Sequence, residues 1–118
     1  MTGSTPNFLR RLFGARVITV EHASPEVLSL RYGRLRTNFD RASGQVHQNG
    51  KLVGVLGAVE RIELHKPTTQ EGMVNWFVTV RLNGARTIEV GQTTDAADAS
   101  AIGARIATVT GRPVVAQP

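Results

Sequence analysis

The chain has 118 residues, 41% of them hydrophobic and 19% charged, a makeup that suits one globular domain with a real core. It contains no cysteine, which excludes disulfides, cysteine-ligated zinc, iron–sulfur clusters and thiol catalysis, and its 5% aromatic content requires an aliphatic core. Net charge is +5 and 12 of the 14 basic residues are arginine, a balance that suits phosphates, nucleic acid, acidic lipids or acidic protein faces without choosing among them.

Met1 to Pro6 is small and polar. Asn7 to Arg16 (NFLRRLFGAR) places Phe8, Leu9, Leu12 and Phe13 on one helical face, with Arg10, Arg11 and Arg16 around it. Gly14 limits such a helix to about two turns, too short to stand without a surface to lie on. Residues 1–16 therefore read as an arm, packed on its own domain or a partner chain, or else as a basic amphipathic contact with an acidic membrane surface. Arg10 and Arg11 interrupt the apolar residues a secretory signal needs, and no apolar run reaches bilayer length. The chain reads as cytoplasmic, with membrane association left open.

From Val17 the apolar period becomes two, the period of a strand. Val17 to His22 is followed by the breaker Ser24-Pro25-Glu26, then by Val27 to Tyr32 and Arg34 to Asp40. A tight turn at Tyr32-Gly33 would pair Arg31 with Arg34 and Ser29 with Arg36, so that Arg31, Arg34 and Arg36 share the face away from Leu30 and Leu35. That stripe is either a solvated outer face or a site for an anionic partner, helped by Arg10 and Arg11. Asp40 to Gly44 forms a loop, Gln45 to Gln48 returns, and Asn49-Gly50 predicts a two-residue turn with Gln48 facing Lys51, His47 facing Leu52 and Val46 facing Val53. In Lys51 to Leu56, Gly54 and the following Gly57 mark a bulge, a bend or a close backbone approach. Val59 to Lys66 turns Ile62 and Leu64 inward and Arg61, Glu63 and His65 outward. After a polar loop, Pro67 to Gly72, Val74 to Leu82 alternates cleanly; Asn83-Gly84 predicts another two-residue turn and Ala85 to Val90 pairs back.

The one convincing long helix comes next, from Asp95 to Thr110. Thr94 or Asp95 caps it, Asp98 adds negative charge to its first turn, and Ala99, Ile102, Ile106 and Val109 form its apolar stripe. Gly111 and Pro113 end it. A run of about seven antiparallel strands closed by a terminal helix is an α+β fold, one domain over residues 17–118, with Leu30, Phe39, Val78, Val80, Leu82, Ile102 and Ile106 in its core.

This order of elements resembles the pleckstrin-homology-like (PH-like) fold, a bent sandwich or half-barrel capped by a C-terminal helix. Phe39-Asp40-Arg41-Ala42-Ser43-Gly44-Gln45-Val46 is similar to a hairpin of small bacterial PH-like proteins of unknown function. Trp76 to Leu82, Asn83-Gly84, Ile88 to Val90 and the helix fit their second half. The resemblance implies a binding or scaffolding module and no catalytic residue. The Lys/Arg signature of the lipid-binding type is not matched, since Gly33 makes the loop between Arg31, Arg34 and Arg36 very short.

No pattern points to catalysis, a metal or a cofactor. His22, His47 and His65 show neither HxH nor HxxxH spacing. Glu60 with Glu63, or Glu21 with Glu63, are acidic and nothing more; Ser43-Gly44 is no nucleophile elbow; Gly54 to Gly57 is no phosphate-binding loop. Nucleic acid would need exposed rings for stacking, and Phe77 is the only candidate. The reading is a non-enzymatic binding or assembly module, acting through contacts with a protein partner or a second copy of itself. The alternative is an acidic membrane surface reached by the arginines together with Phe8, Leu9, Leu12 and Phe13. Nucleic-acid binding ranks below both, and a small enzyme last.

Overall fold

Alternating apolar and polar residues build two antiparallel runs in this chain, and the helix covers what they leave open. The structure is a computed structural model that describes residues 17–66 and 75–117. The arm with Phe8, Leu9, Arg10, Arg11, Leu12 and Phe13, and the Pro67 to Gly72 loop, lie outside the described residues.

The first sheet is a five-stranded meander of β1 (Thr19–Ala23), β2 (Val27–Tyr32), β3 (Leu35–Asp40), β4 (Gln45–Gln48) and β5 (Lys51–Val55). The second holds β6 (Val59–His65), β7 (Trp76–Leu82), β8 (Thr87–Thr93) and β9 (Val114–Gln117), in the order β8-β7-β6-β9. Helix α1 (Ala96–Thr110) lies between them, touching β2 and β3 of one sheet and all four strands of the other. The described residues thus form an α+β fold of mostly antiparallel strands with one C-terminal helix, nine strands in two sheets rather than about seven in one up-and-down run. The unforeseen strand is β9, which runs parallel to β6. Pro113 ends the helix as expected, but its carbonyl accepts the Ile62 N–H (2.9 Å), so the chain beyond it becomes an edge strand.

The core is the predicted one. Leu30, Phe39, Val78, Val80, Leu82, Ile102 and Ile106 are all buried, joined by Val46, Ile62, Leu64, Ile88, Val90 and Ala99. The helix has the expected ends. The Asp95 carboxylate accepts the Ala97 N–H (2.9 Å), and Gly111, at φ +72°, donates its N–H to the Ala107 carbonyl (2.7 Å).

Several registers differ from expectation, each for a physical reason. The β2–β3 turn is Gly33-Arg34, not Tyr32-Gly33, so Arg31 faces Arg36 and Ser29 faces Asn38. A positive φ is needed at the first turn residue, and Gly33 takes +63° where tyrosine would be strained. Asn49-Gly50 forms its two-residue turn with both φ values positive, but an extra residue beyond it sets Val46 against Gly54 instead of Val53. The β7–β8 loop has three residues, Asn83–Ala85, closed by Leu82 N–H to the Arg86 carbonyl (2.7 Å). A two-residue turn would have set Ile88 opposite Thr79 and turned it outward; the observed register sets it opposite Val80 and buries it. Glu63, expected to be solvated, is only 7% exposed, beside Arg61 and Arg81.

The sheets close on each other where β8 meets β2. A Cβ placed on Gly91 would lie 2.7 Å from Tyr32 Cγ and 2.8 Å from Ile18 Cγ1. Gln48 Nε2 donates to Thr37 Oγ1 (3.1 Å) and to the Glu89 carbonyl (2.9 Å), and Arg86 Nη2 donates to the Val53 carbonyl (2.8 Å), tying the first sheet to β8. Replacing fully buried Ile106 by Ala is expected to destabilise the fold by about 2–5 kcal/mol in urea unfolding. Gly91→Ala is expected to cost about 1–3 kcal/mol in the same measurement, because the new methyl meets two packed side chains; an unchanged midpoint would show that the sheets have room to part.

Candidate functional site

The Arg31–Arg36 register puts two cations directly across a hairpin, a pairing that costs stability unless an anion lies between them. Strand β1 supplies it. Glu21 is an extra residue between the Val20–Leu30 and His22–Ser29 pairs, and this irregularity swings its carboxylate over the β2–β3 hairpin. Arg36 Nε donates to Glu21 Oε1 (2.7 Å) and its Nη2 to Oε2 (3.4 Å), while Arg31 Nη1 donates to Oε2 (3.1 Å). Arg31 Nε also donates to the Gly33 carbonyl (3.2 Å), which pins that guanidinium to the turn. The Glu21 carboxyl is held below its ordinary value of 4.5, first by the Arg36 hydrogen bond and then by the Arg31 bond, against a smaller effect of desolvation than the former. Arg36 is correspondingly raised, chiefly by its bond to Glu21.

Asn49 closes the other side. Its N–H donates to the Arg36 carbonyl (2.9 Å) and its Oδ1 accepts the Arg36 N–H (2.8 Å), which leaves its side-chain NH₂ to serve as a donor. Arg31, Gly33, Arg34, Arg36 and Asn49 line a shallow hollow of about 250 Å³. Arg34 stands at its lip and makes no hydrogen bond or ion pair among the described residues. Across Arg34 lies a second hollow of about 440 Å³, lined by Tyr32, Leu35, Glu89 and Gly91 as well as Arg34. Chemically, the first hollow offers N–H donors in excess of those that the Glu21 carboxylate engages, the arrangement that takes up a carboxylate or a phosphate.

The structure therefore gathers Arg31, Arg34 and Arg36, as the sequence suggested, but by another register and with Arg34 in the turn. Arg10 and Arg11 fall outside the described residues. Glu21, Asn49, Tyr32, Leu35, Glu89 and Gly91 were not foreseen as site residues. Only Glu21 had a signal: once Gly33 is placed first in the turn, Arg31 opposes Arg36 and demands an acid from the neighbouring strand.

The remaining candidates do not converge. His22 and His65 are exposed and His47 half-buried, and His47 and His65 stand on different sheets. Among the described residues, no group of three His, Asp or Glu side chains gathers where a metal ion would fit. Glu21 and Glu63 are likewise on different sheets, and Glu60 and Glu63 both turn to Arg61, at 3.9 and 2.7 Å. Phe77 is half-buried, in edge contact with the His65 ring at 6.4 Å. Among the described residues no helix is long and apolar enough to cross a membrane. No protein-family model, no curated protein and no solved structure matches this chain.

The Glu21 clamp predicts a pH signature. Its carboxyl has a lower pKa folded than unfolded, so the stabilisation it gives is present above the ordinary value of 4.5 and is lost as pH falls through the depressed folded value. Melting curves of the parent and Glu21→Gln are expected to differ at neutral pH and to converge in acid; parallel curves at every pH would remove the clamp from the account.

Proposed function

We propose that this chain is a non-enzymatic binding module of PH-like layout, working in the cytoplasm, that holds an acidic segment of a protein partner in the hollow framed by Arg31, Arg34, Arg36 and Asn49. The observation that carries the reading is the Glu21 brace: one carboxylate fixes two guanidinium groups side by side, 2.7 and 3.1 Å away, while Arg34 beside them has no ion-pair partner among the described residues. Fixed donors lose little freedom when a ligand arrives, so the bracing favours binding over mere solvation. The antiparallel strands β1 to β8 followed by one helix support the PH-like layout, to which β9, after the helix, is an addition. A protein partner suits the site better than nucleic acid does, since the positive patch is short and Glu21 and Glu89 interrupt it. The membrane alternative leans on Phe8, Leu9, Leu12 and Phe13, which lie outside the described residues.

The test is an NMR titration of the full chain with a hexaglutamate peptide, set beside co-sedimentation with vesicles containing acidic lipid and a single-stranded oligonucleotide titration at two salt concentrations. The peptide is expected to shift the amides of Gly33, Arg34 and Asn49, and Arg34→Ala to weaken it about tenfold. If the Arg31→Ala/Arg34→Ala/Arg36→Ala variant binds the peptide as the parent does, the reading fails. Stronger binding to vesicles or oligonucleotide than to the peptide would replace it.

Self-association is a second reading, and β9 favours it. The Ile62 N–H to Pro113 carbonyl bond sets the parallel ladder so that the backbone groups of Val114 and Ala116 face the edge of the sheet that no other described strand pairs with, beside Val115, which is 37% exposed. Two copies would pair there about a two-fold axis. Light scattering is expected to give a dimer mass at high concentration and a monomer mass for Val115→Lys; a monomer for both sinks the idea.

A further inference from the structure

We infer that the partner segment presents an acidic side chain beside a large apolar one, the acid entering the arginine hollow and the apolar group entering the hollow across Arg34. This deepens the binding reading above and rests on it. Three observations carry it. The two hollows share Arg34 as their common wall, so one short segment reaches both. They differ in chemistry: the smaller is edged by Arg31, Arg36 and Asn49, the larger by the half-buried Tyr32 and Leu35 with Gly91 as floor. They differ in the balance of charge as well. The larger hollow sets the exposed Glu89 against one cation, Arg34, while the smaller is lined by three arginines and no acid.

The opposed charges make the pair directional. An acid–apolar segment fits in one orientation, and reversing it sets its carboxylate beside Glu89. The floor is fixed, because Gly91 is held against Tyr32 and Ile18 with no space for a side chain between them. A free anion such as phosphate would use only the smaller hollow and gain nothing from the larger. An apolar side chain laid on Tyr32 and Leu35 adds buried area that a lone carboxylate lacks, which is the source of the expected selectivity.

The experiment titrates the full ¹⁵N-labelled chain with three hexapeptides, Gly-Ser-Glu-Phe-Ser-Gly, Gly-Ser-Glu-Ala-Ser-Gly and Gly-Ser-Gln-Phe-Ser-Gly, and with inorganic phosphate. The Glu-Phe peptide is expected to move the amides of Gly33, Arg34, Leu35 and Gly91 together and to bind about tenfold tighter than either single-determinant peptide. Leu35→Ser is expected to erase that advantage while leaving the Glu-Ala peptide unchanged, and Glu89→Gln to let the orientation blur, so that a Phe-Glu peptide gains on Glu-Phe. Equal binding of the Glu-Phe peptide, the Glu-Ala peptide and phosphate would overturn the inference and leave the binding reading standing. No shift at Gly33 or Arg34 with any probe at millimolar concentration would overturn both. If Leu35→Ser fails to fold, Leu35→Met, which keeps the volume, and the peptide series on the parent chain still decide the matter.

Discussion

Everything in this structure depends on two sheets closing over a core that has few rings to fill it. Phe39 is the one aromatic side chain among the buried core residues described; the rest are Val, Leu, Ile and Ala. Short side chains demand short distances, and the close contacts fall at glycines. Gly91 lies against Tyr32 and Ile18 where the sheets meet, and a Cβ on Gly103 would sit 3.3 Å from both Leu64 and Val114, which is how near α1 comes to the second sheet. The approach at Gly91 also positions the site. It holds the end of β2 against β8, so the β2–β3 turn and Glu89 stand on the same side of the molecule.

On that frame the electrostatics follow from register. Side chains in a hairpin cannot choose their partners once the turn is set, and here the turn sets Arg31 opposite Arg36. The repulsion is answered by an irregularity in a third strand, where Glu21 is inserted between two regular pairs. Among the described residues neutralisation stops short of completion, with Glu21 pairing Arg31 and Arg36 and Arg34 exposed beside them. Three hydrogen bonds to one acid hold Arg31 and Arg36 side by side where their charges alone would push them apart.

Much of the fold could be read in the sequence, because period, caps and turns are local. The helix with its Asp95 cap and Gly111 stop, the strands from Val27 to Gln48, and the Ile102–Ile106 stripe all fall where periodicity puts them. What escaped was non-local. Val114-Val115-Ala116-Gln117 is too short to signal a strand, and only β6, far back in the chain, makes it one. The Asn83-Gly84 dipeptide signals a two-residue turn, yet the need to bury Ile88 adds Ala85 to the loop, at φ +64°. At the site the arginines were legible as a stripe. Their brace was not, since it needs the turn position, the pairing of β1 and its extra residue all at once.

The parallel pairing of β9 with β6 has a kinetic side. Neighbouring strands in the meander zip together across loops of a few residues, while joining Ile62 to Val114 closes a loop of about fifty residues, at a cost in chain entropy that neighbours do not bear. Helix α1 belongs to that loop and meets Val114 at Gly103, so neither packs fully without the other. The two are expected to form one cooperative unit whose amides exchange with solvent together. When that unit lifts, Leu64 and Ile62 are uncovered together with the helix-facing sides of β2 and β3, whereas the arginine hollow at the β2–β3 turn takes no lining residue from α1 or β9. Loosening at the helix end would therefore leave the residues that line the arginine hollow in place.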